Sequence, residues 1–186
     1  MRWYHQDDLT LHISVTWPRT QEEVKVGDVV QRGLHVSNSE VGLRSVTIAG
    51  YVWRLKCKNG AIGGEGAGIR RFRHMGDGDS MRDKVRAAIE ETQLQGERII
   101  AQFKAAVNKA IEDPFTYLEQ VAKDKNNQMT QEEFKAALDA FMLEPDPTLY
   151  GVANAITRAA QKYAGDERWE MEKLGVKVLT AGLRKS

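Results

Sequence analysis

The chain is poor in the residues that usually announce a chemistry. Cys57 is the only cysteine in 186 residues. It cannot form an internal disulfide, which suits a reducing cytoplasm, and it excludes a multi-cysteine zinc or iron–sulfur site. Apolar runs are only a few residues long, so no transmembrane helix is expected. Asp7 and Asp8 stand where a signal peptide needs an apolar stretch. His5, His12, His35 and His74 are far apart and keep no metal-ligand spacing. No serine or cysteine lies in a nucleophile turn, and no carboxylate cluster stands at the end of an apolar strand, where a nuclease or other metal enzyme would place one. Nothing in the pattern points to an enzyme or a cofactor.

What is present is ordinary in amount and uneven in placement. Apolar residues make up 41% and charged residues 28% of the chain, which fits one globular domain over residues 1–186. The formal charge of +1 conceals a split. Residues 1–43 hold four Lys/Arg against six Asp/Glu, residues 44–86 ten against four, and residues 87–186 thirteen against sixteen. A concentrated basic segment within a near-neutral chain is a more selective sign of a polyanion partner than uniform basicity.

Periodicity gives an α+β fold: an antiparallel β-meander of four to six strands over residues 1–77, then a long helix and an all-helical remainder over 78–186. Leu9, Leu11, Ile13, Val15 and Trp17 alternate with polar residues, so one strand is expected here, with His12 solvated on its polar side and Pro18 as its end. Gly27-Asp28 and Arg32-Gly33 read as turns around a short Val29-Val30 segment, and residues 34–37 and 45–50 as strands. In residues 51–58, Tyr51, Trp53, Leu55 and Cys57 share a buried face, and Arg54, Lys56 and Lys58 the opposite one. Asn59-Gly60 is the strongest hairpin signal. From Asp79 the spacing of Val85, Ile89, Thr92, Ile99, Phe103, Val107 and Ile111 becomes helical, with Asp79 or Ser80 as N-cap and Pro114 as the end. Four shorter helices follow, over 115–122, 130–142, 148–163 and 166–179, and Glu144-Pro145-Asp146-Pro147 is a stiff linker.

Three constellations bear on function. Arg54, Lys56 and Lys58 on one strand face would stand about 6.6 Å apart, near the spacing of phosphates along a nucleic-acid strand. Arg70, Arg71 and Arg73 follow within one hairpin's reach, and Arg82, Lys84 and Arg86 open the long helix, with Tyr51, Trp53 and Phe72 interleaved for base stacking. The bland alternative is a strand showing its polar side to water. The glycine-rich residues 63–68 lead into a strand pattern rather than a helix N-terminus, so a hairpin tip is expected and a phosphate loop is not. The run Asp124 to Phe134 imitates a calcium loop, but Met129 occupies the position that needs glycine and Lys135 the one that needs an acid. Its better reading is a helix start, with Thr130 as N-cap and Glu133 closing a capping box.

The segments Gly33-Leu34-His35-Val36-Ser37-Asn38-Ser39-Glu40-Val41-Gly42, Tyr51-Val52-Trp53-Arg54-Leu55-Lys56-Cys57-Lys58-Asn59-Gly60 and Arg70-Arg71-Phe72-Arg73-His74-Met75-Gly76 carry a resemblance, continued at Leu149-Tyr150-Gly151-Val152-Ala153-Asn154 and Ala155-Ile156-Thr157-Arg158-Ala159-Ala160. Together they resemble the phage/plasmid-like family catalogued as domain of unknown function 932, over most of residues 24–165. The resemblance implies that many members carry a further N-terminal portion, so this sequence is expected to be the later part of such a protein or a short version of it. A β-meander followed by a long helix is similar, as architecture, to the phage single-strand annealing recombinases. That similarity implies a basic groove holding single-stranded DNA and assembly into a homo-oligomer. The contacts it implies fall on Arg54, Lys56, Lys58, Arg70, Arg71 and Arg73, with Ser37, Asn38 and Asn59 as neutral partners. The second reading is a phage or plasmid protein that binds a host protein through its acidic helical half.

Overall fold

A computed structural model of the chain describes residues 2–7, 9–39, 41, 45–63, 69–72, 78–127 and 129–184. The α+β reading holds: among the described residues a six-stranded antiparallel sheet precedes five α-helices. The strands are β1 (Trp3–Gln6), β2 (Leu11–Lys25), β3 (Asp28–Asn38), β4 (Val46–Arg54), β5 (Asn59–Ile62) and β6 (Arg70–Phe72), in the spatial order β1-β2-β3-β4-β5. β6 joins β4 on the edge that β5 uses: β5 pairs with Tyr51 to Arg54 and β6 with Val46 to Ile48.

Several strands are longer than their punctuation suggested. Pro18 does not end β2. The β2–β3 register shifts between Thr16 and Gln21, and this irregularity absorbs the missing N–H. Thr20 Oγ1 then accepts the Arg32 backbone N–H at 3.0 Å. Arg32-Gly33 lies within β3 rather than in a turn. The hairpin after β4 turns at residues 55–58, with Lys58 at φ 54, and Asn59-Gly60 opens β5 instead of making the turn. Gly27, at φ 75, does turn β2 into β3.

The helices are α1 (Gly78–Val107), α2 (Pro114–Lys123), α3 (Gln131–Leu143), α4 (Leu149–Ala159) and α5 (Gly165–Arg184), with a single 3-10 turn after α4. Pro114 starts α2 rather than ending α1, because a proline at N1 forfeits only an N–H that has no helical partner. Asp113 caps that start by accepting from the N–H groups of Phe115 and Thr116. Between α1 and α2 the chain is extended, and Leu149 N–H donates to the Lys109 carbonyl at 2.8 Å. The expected capping box at Thr130 and Glu133 is formed in full.

Both faces of the sheet are covered. Alternation sends Val30, Val52 and Ala61 to one face, where they join Ile99, Ile100 and Phe103 of α1 and the core of α2 to α5. On this face α1 comes close at Gly50: a Cβ there would lie 2.6 Å from that of Gln95, whose Oε1 accepts the Gly50 N–H. The other face carries Trp3, Ala49, Tyr51, Trp53 and Ile62, closed by Trp169 of α5. Among the described residues no helix is long and apolar enough to cross a membrane.

Candidate nucleic-acid interface

The structure withdraws Arg54 from the expected basic track. Its alternation partners are Val30 and Val52, so its side chain enters the helical core and is 3% exposed. Asp28 accepts from Nε at 2.7 and 2.8 Å, and Glu144 accepts from Nη1 and Nη2 at 3.0 and 2.9 Å. Tyr150 adds its hydroxyl to Asp28 at 3.1 Å. Burial works against the charge, but the hydrogen bonds that it donates to both carboxylates outweigh this and hold the guanidinium well above its ordinary pKa. Asn59, also assigned a nucleic-acid contact, is buried and donates to Thr157 Oγ1 at 2.6 Å, and Ser37 is buried as well.

Glu144 is the hub that sequence reasoning missed. The stiff proline segment holds it against the β4–β5 turn, where it also accepts from Lys56 at 2.8 Å, Cys57 Sγ at 2.8 Å and Arg158 at 3.5 Å. Despite the desolvation that burial imposes, these donors, Arg54 first, keep its carboxyl far below the usual range. Cys57 is therefore not on the sheet's inner face. It lies half-buried in the turn, with its pKa raised by burial and by its bond to Glu144. The adjoining void, of about 10 Å³ between Arg54, Glu144, Asn154 and Arg158, has room for one water.

The remaining candidate cations fall into two groups. Lys56 and Lys58 stand at the far end of β4, exposed, with Lys56 held by Glu144. Arg70 and Arg71 are at the other end, opposite Ile48 and Thr47. Six residues of strand, about 20 Å, separate the two groups, so they form no single track. Arg70 is exposed and bonds Glu91 of α1 at 2.6 Å, which ties β6 to that helix little more than one turn beyond Arg86. Arg71 is exposed. Arg82, Lys84 and Arg86 are all exposed near the start of α1, and Lys84 and Arg86 have no carboxylate partner among the described residues. Arg73, the glycine-rich residues 64–68 and the side chains of Asp79 and Ser80 lie outside the described residues.

A second constellation was invisible in the sequence. His12, expected in water, is fully buried with Ser14 and His35 under the first turns of α5. Its Nε2 lies 2.9 Å from Asp166 Oδ1, its Nδ1 lies 3.3 Å from His35 Nε2, and His35 Nδ1 lies 2.7 Å from Ser14 Oγ. With Asp166 ionised, one arrangement has His12 donating to it, His35 to His12 and Ser14 to His35, which leaves both imidazoles neutral. Burial, the neighbouring His12 and the Arg168 cation all push His35 well below the ordinary imidazole pKa. Trp169 packs on His35 with ring centroids 4.4 Å apart, and Arg168 lies 4.4 Å over Trp3. The fully buried Glu172 bonds Arg168 at 3.0 Å, and desolvation raises its pKa to about 7.

Residues 5–179 match the family model described as Domain of unknown function (DUF932). The chain belongs to this family. No curated protein and no solved structure matches it. Both constellations of this DUF932 chain lie inside the matched span: the basic end of β6 and α1, and the buried histidine chain beneath α5.

Proposed function

We propose that this chain binds single-stranded nucleic acid, DNA in the first instance, without covalent chemistry, through the basic end formed by β6 and the first turns of α1. The observation that carries the reading is the exposure of Arg82, Lys84 and Arg86 beside Arg70 and Arg71, with Lys84 and Arg86 free of carboxylates among the described residues. Arg82 and Arg86 are four residues apart and share a helix face, as a phosphate track requires. The phage or plasmid setting, cytoplasmic location and self-assembly belong to this proposal through the resemblance to annealing recombinases. Arg54 and Asn59 are no part of it, and Lys56 and Lys58 form at most a separate outpost.

The test is the salt dependence of binding to a fluorescent oligothymidylate. Each phosphate neutralised by a cation contributes about 0.7 to the slope of log affinity against log salt for a single strand. The combined change Arg82→Ala, Lys84→Ala and Arg86→Ala is expected to lower that slope by about two. An unaltered slope would remove these side chains from the interface, and no binding at low salt would end the proposal.

A specific feature favours the second reading, a protein partner. Phe115, Met142 and Leu143 are 47%, 61% and 72% exposed on α2 and α3, with Phe115 packed edge-on against Phe141 at 5.6 Å. An apolar surface of this kind marks protein contact more often than nucleic-acid contact. It is the reading that absence of nucleic-acid binding would leave standing.

A further inference from the structure

The buried chain beneath α5 has a chemistry that neither reading uses. Two strands and one helix contribute to it in register: Ser14 and His12 from β2, His35 opposite Ser14 on β3, and Asp166 from the first turn of α5. Gly165 brings the helix start close, because a Cβ there would meet the His5 ring at 3.1 Å. The titratable and charged groups facing the imidazole pair are His5 on β1, Tyr51 on β4, and Asp166, Arg168 and Glu172 on α5, with Arg2 on the Tyr51 side.

Counting protons shows what the chain tolerates. With two neutral rings every donor meets one acceptor. A first added proton is accommodated only if His12 turns donor toward His35 and His35 toward Ser14, and it leaves on His12 a buried cation whose carboxylate partner, Asp166, is half-exposed. A second proton sets N–H against N–H across the 3.3 Å between the rings. Asp166, whose side chain is 44% exposed, is the carboxylate that bonds the pair directly.

We propose that the amino-terminal half of α5 is an acid-released clamp: the Ser14–His35–His12–Asp166 chain holds it on the sheet while both imidazoles are neutral, and protonation of the pair frees residues 165–172 with the helical core intact. Of residues 165–172, Met171 belongs to the helical core; the rest of that core survives because the carboxy-terminal half of α5 is fastened separately. Gly175 lies against Thr157 and Gly182 against Leu149, both on α4, and Thr180 accepts from Gln102 of α1 at 3.1 Å. The sign follows from linkage. The closed state binds a proton on His35 less tightly than the open one, so closure is favoured above the ordinary imidazole range and weakens as the pH falls below it. Glu172 acts in the opposite sense, since closure favours its protonated form. Once neutral, however, it leaves the Arg168 charge uncompensated beside His35.

Hydrogen exchange at a series of pH values from about 7.5 to about 4.5 tests the clamp, with rates corrected for intrinsic pH dependence. Protection over residues 165–172 is expected to fall at least about tenfold while α2 to α4 keep theirs, together with a change in tryptophan fluorescence as Trp3 and Trp169 gain water. His35→Asn, which cannot titrate there, is expected to hold protection flat until the whole domain unfolds. Should that variant fail to fold, the surface change Asp166→Asn replaces a charge-assisted acceptor of the closed chain and is expected to move the release to higher pH. Loss of protection at residues 165–172 only together with α2 to α4, or at the same pH in the wild type and in these variants, would overturn the clamp.

Discussion

The two faces of the sheet bury ionisable groups by opposite means. Beneath the helical core, Arg54 is ionised and saturated: four hydrogen bonds from its guanidinium reach Asp28 and Glu144, and Tyr150 completes Asp28. Beneath α5, His12 and His35 are fully buried and linked in series to a half-exposed carboxylate, and burial disfavours the charged form of His35. Buried charge is tolerated where every donor and acceptor is matched locally. Buried imidazole is tolerated by losing its charge, which makes it responsive to protons. One face is therefore locked and the other conditional, although both belong to the same six strands.

The largest expected effect lies on the locked face. Arg54→Ala removes the cation and strands Asp28, itself 1% exposed, as a buried anion. A loss of roughly 3–5 kcal/mol is expected from denaturant titration, with an unchanged m-value. Because the pair is buried, the loss persists at high salt. A cost under about 1 kcal/mol would mean that Asp28 and Glu144 find other partners, and the distinction between the faces would fail on its stronger side.

The conditional face is sharpened by Glu172→Gln. The native carboxyl is raised from its ordinary value of 4.5 to about 7, so the folded state favours its protonated form and wild-type stability falls as the pH rises between those values. Glutamine keeps a hydrogen-bond acceptor for Arg168 without that dependence. The variant is expected to be more stable than wild type by about 2 kcal/mol near pH 8, with the gain vanishing toward pH 4.5. The imidazole pair supplies the opposite slope in both proteins, so thermal melts should show a stability maximum in the wild type and a steady rise with pH in the variant. Parallel pH curves for the two proteins would mean that Glu172 is ionised throughout.

Local signals in the sequence were legible where a residue's own chemistry decides its conformation. Thr130 and Glu133 gave a helix start, Gly27 a turn, and the spacing of Ile99 and Phe103 a buried helix face. They failed where tertiary partners decide. Alternation in β2 was read correctly as a strand, but its apolar side, Leu11, Ile13 and Val15, is only half-buried, while the polar side with His12 and Ser14 is fully buried. The helix that covers that polar side begins some 150 positions later, at Gly165. The candidate site went wrong for the same reason. Arg54, Lys56 and Lys58 alternate in sequence, but β4 ends at Arg54, and Glu144 in a distant proline segment takes both Arg54 and Lys56. Arg82, Lys84 and Arg86, near the start of α1, lie at the surface as a local reading implies.

The smallest expected effect uses the same carboxylate as the largest. Lys56 and Arg54 both donate to Glu144, at 2.8 and 2.9 Å, but the Lys56 side chain is 57% exposed and that of Arg54 4%. If burial rather than bond length sets the contribution, Lys56→Ala leaves Glu144 with both of its Arg54 bonds and changes the melting temperature by no more than the scatter of the measurement. It should also leave the salt slope for oligothymidylate binding unchanged, since Lys56 lies at the far end of β4 from the proposed interface. A destabilisation comparable to that of Arg54→Ala would show that the carboxylate is held from the solvent side, and the buried guanidinium could no longer be what locks this face.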